Sequence, residues 1–295
     1  MTSKKNTVSW FLGALAGLCV PAALLAADTK PAAVPRLSTQ EIVDKYVAAR
    51  GGLQAWHALQ SISYNGKMEV GYGNSAARSS QYVSNAVLSQ KARERQIRQQ
   101  IAEGTPKAAQ VRLPFVLEMK RPNKSRVEME FEGKTAVQVY DGQIGWLMRP
   151  YLNRDDWEPF SPEQARMQAA EPGLDGLLLD SASQGTKVDF ESVEPVEGHP
   201  AYKLKLTLKS GEVRHVWIDA RSFLDVKIEG TPRRMDGRLR TVWIYQRDFR
   251  SVQGVTVPFV LETAVDGYPD RHQMVIEKVA LNPKLDDAAF AKPKA

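Results

Sequence analysis

The sequence predicts a mainly β protein, an unclosed antiparallel half-barrel of about eleven strands with helices covering its open side. Three observations predict it. Apolar and polar residues alternate with a period of two in short runs between residues 62 and 279, which is the pattern of half-buried strands. Turn signals separate several of these runs, at Glu132-Gly133-Lys134, Asp141-Gly142 and Ser210-Gly211, where glycine accepts the dihedral angles of a tight hairpin. Apolar cover with a helical character is confined to residues 40–50 and 160–179. A single sheet this wide with so little to cover it curls and keeps an incompletely filled interior.

The N-terminus sets the compartment. Lys4 and Lys5 precede an apolar run over residues 8–27 that is broken by Pro21 and ends in small residues before Asp28. That order is the pattern of an export signal cleaved near Ala27. Gly13, Gly17 and Pro21 weaken the alternative, a retained transmembrane helix. Cys19 is the only cysteine and lies inside this run. The stretch Leu15-Ala16-Gly17-Leu18-Cys19 approaches a lipid-attachment box, but the bulky Leu18 departs from it, and simple cleavage is the better reading. A cleaved chain has no cysteine, which excludes disulfides, thiolate nucleophiles and cysteine metal sites. Residues 1–27 are therefore read as a signal peptide, 28–37 as a linker, and 38–295 as one domain with a basic insertion at about 74–112. The formal net charge of +6 is modest. In an exported protein it suits anionic head groups or acidic partner proteins rather than nucleic acid.

The elements follow in order. Ser38 or Thr39 caps a helix over residues 40–50, where Ile42, Tyr46 and Ala49 form an apolar stripe and Gly51-Gly52 stops it. A strand over 62–70 leads into the insertion, in which 89–102 has a thin helical stripe of Ile97 and Ile101. Strands at 115–120, 126–131, 136–140 and 144–148 precede a helix that starts at Ser161-Pro162-Glu163 and ends at Pro172-Gly173. Leu174, Leu177, Leu178 and Leu179 then make an apolar turn that needs burial. Further strands run over 187–191, 202–209, 212–218, 224–229, 239–249, 257–264 and 273–279, in meander order.

Loop length sets each register. A two-residue loop at Asp141-Gly142 puts Val139 opposite Ile144 and Val137 opposite Trp146. A three-residue loop at Glu132-Gly133-Lys134 aligns Met129 and Phe131 with Val137. A two-residue loop at Ser210-Gly211 puts Leu208 opposite Val213, Leu206 opposite His215 and Leu204 opposite Trp217. Lys203, Lys205, Lys209, Glu212 and Arg214 then face solvent.

Chemistry is sparse. His57, His199, His215 and His272 are the only histidines, no two of them at metal-ligand spacing. Nucleophile-elbow and phosphate-loop motifs are absent, and the adjacent carboxylates Asp155-Asp156 and Asp286-Asp287 point apart. The chain is read as not an enzyme, without metal or cofactor. What remains is one apolar face rich in large, adaptable side chains: Met68, Met119, Met129, Trp146, Trp217, Trp243, Phe259 and Met274. Alternation and register add Tyr64, Phe131, Val137, Leu204 and Leu206 to the candidate cavity lining, with His215 either a ligand contact or a buried, hydrogen-bonded imidazole.

Short motifs in a fixed order carry a resemblance. Glu41-Ile42-Val43-Asp44-Lys45-Tyr46 with Arg50-Gly51-Gly52, then Arg121-Pro122-Asn123-Lys124-Ser125-Arg126, Tyr140-Asp141-Gly142 leading to Trp146, and Gly254-Val255-Thr256-Val257-Pro258 together resemble the periplasmic outer-membrane lipoprotein-sorting (LolA-like) proteins. Arg121, Pro122 and Arg126 match the family's strand-start motif, and Asp141, Gly142 and Trp146 its following hairpin. The resemblance implies an unclosed barrel with a hydrophobic cavity for acyl chains, a periplasmic location and no catalytic residues. It implies a carrier or chaperone of lipid or lipoprotein acyl chains, monomeric, with an inner- or outer-membrane partner protein. The alternative within the same fold is an envelope-stress or regulatory sensor that binds a partner protein.

Overall fold

The computed structural model describes residues 34–71, 110–235 and 237–292. The signal peptide, Cys19, most of the linker, the helix expected at 89–102 and nearly all of the insertion lie outside the described residues. Helix α1 (Thr39–Ala49) begins where Ser38 and Glu41 cap each other: Ser38 N donates to the Glu41 carboxylate at 2.7 Å and Glu41 N donates to Ser38 Oγ at 3.3 Å. Its buried stripe is Ile42 and Tyr46. Helix α2 (Leu53–His57) follows after two glycines. Val34 and Leu37, from the region read as linker, pack against the same core, and Tyr202 Oη donates to Pro35 O at 2.8 Å.

Among the described residues, thirteen antiparallel strands form one sheet. They are β1 (Ser61–Gly71), β2 (Gln110–Lys120), β3 (Lys124–Phe131), β4 (Lys134–Tyr140), β5 (Gly145–Arg149), β6 (Arg154–Pro159), β7 (Lys187–Val196), β8 (His199–Thr207), β9 (Val213–Asp219), β10 (Asp225–Met235), β11 (Arg238–Val252), β12 (Val255–Val265) and β13 (Arg271–Leu281). The spatial order runs from β6 back to β1, then β13, then back to β7. Two meanders are thus joined in the middle by the pairing of the first and last strands. The free edges, β6 and β7, are neighbours in sequence and unpaired in space. The connection between them carries helix α3 (Pro162–Ala170) and the buried Leu177, Leu178 and Leu179. The expected open side, covered by helices and the leucine turn, is therefore present. Strand β6 has no counterpart in the sequence reading because Arg154, Asp155 and Asp156 are exposed and show no alternation.

Three hairpins correct the expected registers, and each correction comes from one loop. At Lys209-Ser210-Gly211 the loop has three residues: Gly211 N donates to Leu208 O at 2.8 Å, Leu208 N to Glu212 O at 2.8 Å, and Gly211 sits at φ 84°. That is a turn followed by a left-handed glycine bulge. It slides β9 by one residue, so Leu206 faces Arg214, Leu204 faces Val216, and Lys205 and Lys203 face His215 and Trp217. Every side chain of β9 changes face. At Glu132-Gly133 the loop has two residues, with φ 50° and 71°, and pairs Phe131 with Lys134, so Val137 lies opposite Glu128 rather than beside Met129. At Asp141 the loop has four residues; Tyr140 pairs with Gly145 and Val139 with Trp146. This last shift is by two and keeps the faces as expected.

The two faces of the sheet are covered unequally. α1, α2 and the leucine turn join the main core on the inner face. On the outer face a 3-10 turn (Asp287–Phe290) packs against β3 and β4. Phe290 is fully buried there, Lys120 and Lys124 reach Asp287 at 2.8 and 3.0 Å, and Arg126 donates to Ala289 O at 3.0 Å.

Candidate functional site

Between the inner face of the sheet and its helical cover lies a cavity of ≈ 240 Å³. This exceeds the ~150 Å³ of an engineered apolar cavity that holds benzene. Strand side chains Tyr64, Leu117, Met119, Val216, Ile228, Ile244, Leu261, Met274 and Ile276 form much of its wall. Tyr46, Trp56, Leu174, Leu177 and Leu178 line it from the cover.

The wall carries two buried arginines. Arg50 is the C-cap residue of α1, in helical conformation one turn beyond Tyr46, and so continues the line of the buried stripe towards the sheet. The chain around it is held by glycine: Gly51 has φ 105°, and a Cβ there would lie 2.1 Å from Gly254 O. That close approach lets Thr256 N donate to Arg50 O at 3.0 Å and Trp56 Nε1 to the same oxygen at 2.8 Å. The Arg50 guanidinium donates to Asp225 Oδ1 at 2.6 Å, and Gln246 Nε2 donates to Asp225 Oδ2 at 3.0 Å. It also lies 4.9 Å from the Trp56 ring and 5.8 Å from the Tyr46 ring. Burial works against the Arg50 charge, but the Asp225 carboxylate more than reverses this and raises its pKa. Arg50 Nε has no partner among the described residues.

The second arginine, Arg214, is 1% exposed, inside instead of at the surface because of the β9 register. Its Nε donates to Glu212 at 2.7 Å and its Nη2 to Thr231 Oγ1 at 3.2 Å, while Thr231 Oγ1 donates to Glu171 at 2.8 Å. This polar chain ties β9 and β10 to the end of α3. The cover is held elsewhere by Arg121, whose guanidinium grips Asp175 at 2.6 and 2.5 Å and donates to Leu59 O and Trp56 O. His57 Nε2 lies 3.0 Å from Asp180.

Two tyrosines beside Arg50 titrate abnormally. Burial pushes Tyr64 up to about 12, with the nearby Arg50 charge opposing the rise, and burial raises Tyr46 as well. The folded state thus holds these protons more tightly than the unfolded chain, whose tyrosines titrate near 10. Stability from this source is complete below pH ~10 and is lost as pH rises through ~12. Urea midpoints measured from pH 8 to 11 are therefore expected to fall on the alkaline side, and Tyr64→Phe to flatten the fall. An alkaline slope unchanged in Tyr64→Phe removes this tyrosine as a cause.

The residues singled out from the sequence divide among several places. Tyr64, Met119 and Met274 line the cavity. Leu204, Leu206 and Phe259 are buried in the main core. Met129 belongs to a smaller cluster, with Met68 and Phe131 packed against it. Val137 and Trp146 are on the outer face, where Lys292 Nζ lies 4.6 Å from the Trp146 ring. His215, Trp217 and Trp243 are on the outer face too. His215 Nδ1 is 2.5 Å from Glu229, and Lys227 Nζ lies 4.2 Å from the Trp217 ring and 5.3 Å from that of Trp243. Arg50, Trp56, Arg214, Asp225 and Gln246 were absent from the candidate lining. For Arg50 the signal is present, since it continues the Ile42–Tyr46 spacing of four. Among the described residues no group of three or more His, Cys, Asp and Glu could hold a metal ion.

No family model matches the sequence, and no curated protein matches it. Solved structures do match at the level of fold. A LolA superfamily protein from Nitrosomonas europaea aligns with a TM-score of 0.50 at 14% identity, over 87% of this chain and 99% of that one. A DUF1329 family protein from Desulfovibrio piger aligns with a TM-score of 0.51 at 12% identity, over 87% of this chain and 98% of that one. The fold is thus of the LolA type, a large unclosed antiparallel sheet with helices against its open face.

Proposed function

We propose that this protein is a periplasmic carrier or chaperone that shelters acyl chains of lipid or lipoprotein non-covalently, passing them between membrane partners. The observation that carries the reading is the cavity on the inner face of an unclosed sheet, walled largely by aliphatic, methionine and aromatic side chains. Sheltering a chain needs apolar area removed from water, about 25 cal/mol per Å², and no reacting group. Methionines such as Met119 and Met274 let the wall adapt to irregular chains. The fold shared with a LolA superfamily protein supports the same reading.

Purified, delipidated protein is expected to bind an apolar fluorescent dye and to release it to lipid acyl chains. Mass spectrometry of an organic extract of the untreated protein is expected to find lipid. No dye binding and no extracted lipid, together with a stable complex with another envelope protein, would instead support the partner-binding sensor.

A further inference from the structure

We propose that the β10–β11 hairpin docks on an anionic phospholipid surface, its arginines on the headgroup phosphates and Leu239 in the apolar layer beneath them. The proposal goes beyond the carrier reading, because a hairpin can hold headgroups whether or not the cavity holds a chain. Residues 233–240 read Arg-Arg-Met-Asp-Gly-Arg-Leu-Arg, a surplus of three positive charges in eight residues, against +6 for the whole chain of 295. The register crowds them further. Arg233 lies opposite Arg240, Met235 opposite Arg238 and Arg234 opposite Leu239, with Gly237 at φ 73° in the turn. Like charges directly opposite each other destabilise a strand pair, so the pairing of Arg233 with Arg240 weakens the hairpin unless anions lie beside it.

The fold's own anions hold these arginines loosely. Arg234 Nε is 4.0 Å from Glu163 and Arg240 Nη1 is 3.8 Å from Asp266, and the Arg234 side chain is 59% exposed. Such solvated pairs contribute little. They can be exchanged for phosphate, which a guanidinium fork meets with two donors. Asp266 and Asp270 on the next hairpin bound the patch on one side, while the β8–β9 hairpin at the same end of the sheet adds exposed Lys209 and Val213. Leu239 is 65% exposed, the most of any large apolar side chain among the described residues. A lone exposed leucine is ordinary, but this one stands between Arg238 and Arg240. An acidic protein would satisfy the arginines and give Leu239 nothing to enter, whereas a bilayer supplies both phosphate and hydrocarbon. The same two strands wall the cavity through Ile228 and Ile244. At about 3.4 Å per residue, Ile244 lies ~17 Å along β11 from Leu239.

The test is sedimentation of the protein, purified in its exported form, with vesicles of equimolar phosphatidylglycerol and phosphatidylcholine and with vesicles of phosphatidylcholine alone. Binding is expected only to the anionic vesicles, and is expected to fall as salt rises. Arg234→Gln with Arg238→Gln should weaken it at least about tenfold, and Leu239→Ser at least about threefold. A control pair, Arg221→Gln with Lys284→Gln, removes the same charge from exposed sites at the other end of the sheet. It should change binding by less than about twofold. All these positions are exposed, and circular dichroism checks that each variant is folded. Equal binding to both kinds of vesicle, no binding, or an equal loss in the control pair overturns the proposal, as does a Leu239→Ser protein that binds like the wild type. Binding to polyglutamate in place of anionic vesicles assigns the hairpin to an acidic protein and overturns it too. Apolar dye is read on the same samples: dye lost with vesicle binding kept counts against the carrier reading alone, and vesicle binding lost with dye kept counts against this proposal alone.

Discussion

Asp225→Leu is expected to lower the free energy of unfolding by about 3–5 kcal/mol, and Arg50→Leu by a similar amount. Each single change strands a charge that the fold has removed from water: Arg50 and Asp225 have side chains only 9% and 6% exposed. The double variant is expected to cost much less than the sum. Replacing a whole buried pair by apolar residues is often neutral, because the desolvation penalty of two ions disappears with their attraction. Urea denaturation of the four proteins measures the coupling directly. Single variants that each cost under ~1 kcal/mol would mean that water reaches this pair.

How much of this was legible follows from what sequence pattern encodes. Period-two alternation and glycine turns report that strands exist, so the open β sheet and its helical cover could be read directly. Parity is another matter. In β9 the alternation Arg214-His215-Val216-Trp217-Ile218 is apolar from Val216 onward on both faces, so the pattern itself does not choose one. The choice fell to loop length, and one extra residue before the left-handed Gly211 exchanged Trp217 for Val216 and solvent for burial at Arg214. The same holds at Glu132-Gly133, where a loop one residue shorter than expected moved Val137 to the outer face.

The pairing of β1 with β13 was not legible for a different reason. Those strands stand at opposite ends of the domain, and no local signal connects them. Nor does anything near Asp225 announce a partner 175 residues away. Arg50 was the readable exception, a charge placed on an apolar helical stripe. Buried polar pairs break the binary pattern, and such breaks mark functional or strained positions more often than the pattern itself does.

Leu206 and Met274 separate core from cavity. Leu206 has no exposed surface and pairs with Val188 and Arg214 across its two neighbours, within the main core and outside the cavity wall. Leu206→Ala is therefore expected to cost about 2–5 kcal/mol, the transfer of the lost carbons plus the void they leave. Dye affinity should stay within about twofold, since the removed atoms do not touch the bound chain. Leu206→Glu should fail to fold, because a carboxylate there has neither water nor a free cation. Met274 is only partly buried and lines the cavity, so the space beside it is open. Met274→Trp should fill that space, cut dye affinity at least about tenfold, and change stability by under ~1 kcal/mol because no packed neighbour must move. Measured side by side, one variant loses stability and keeps binding while the other does the reverse. A tryptophan at 274 that costs ~1–3 kcal/mol, the usual penalty of overpacking, with dye affinity unchanged would mean that the inner face is closed on itself and that the apolar wall is a core.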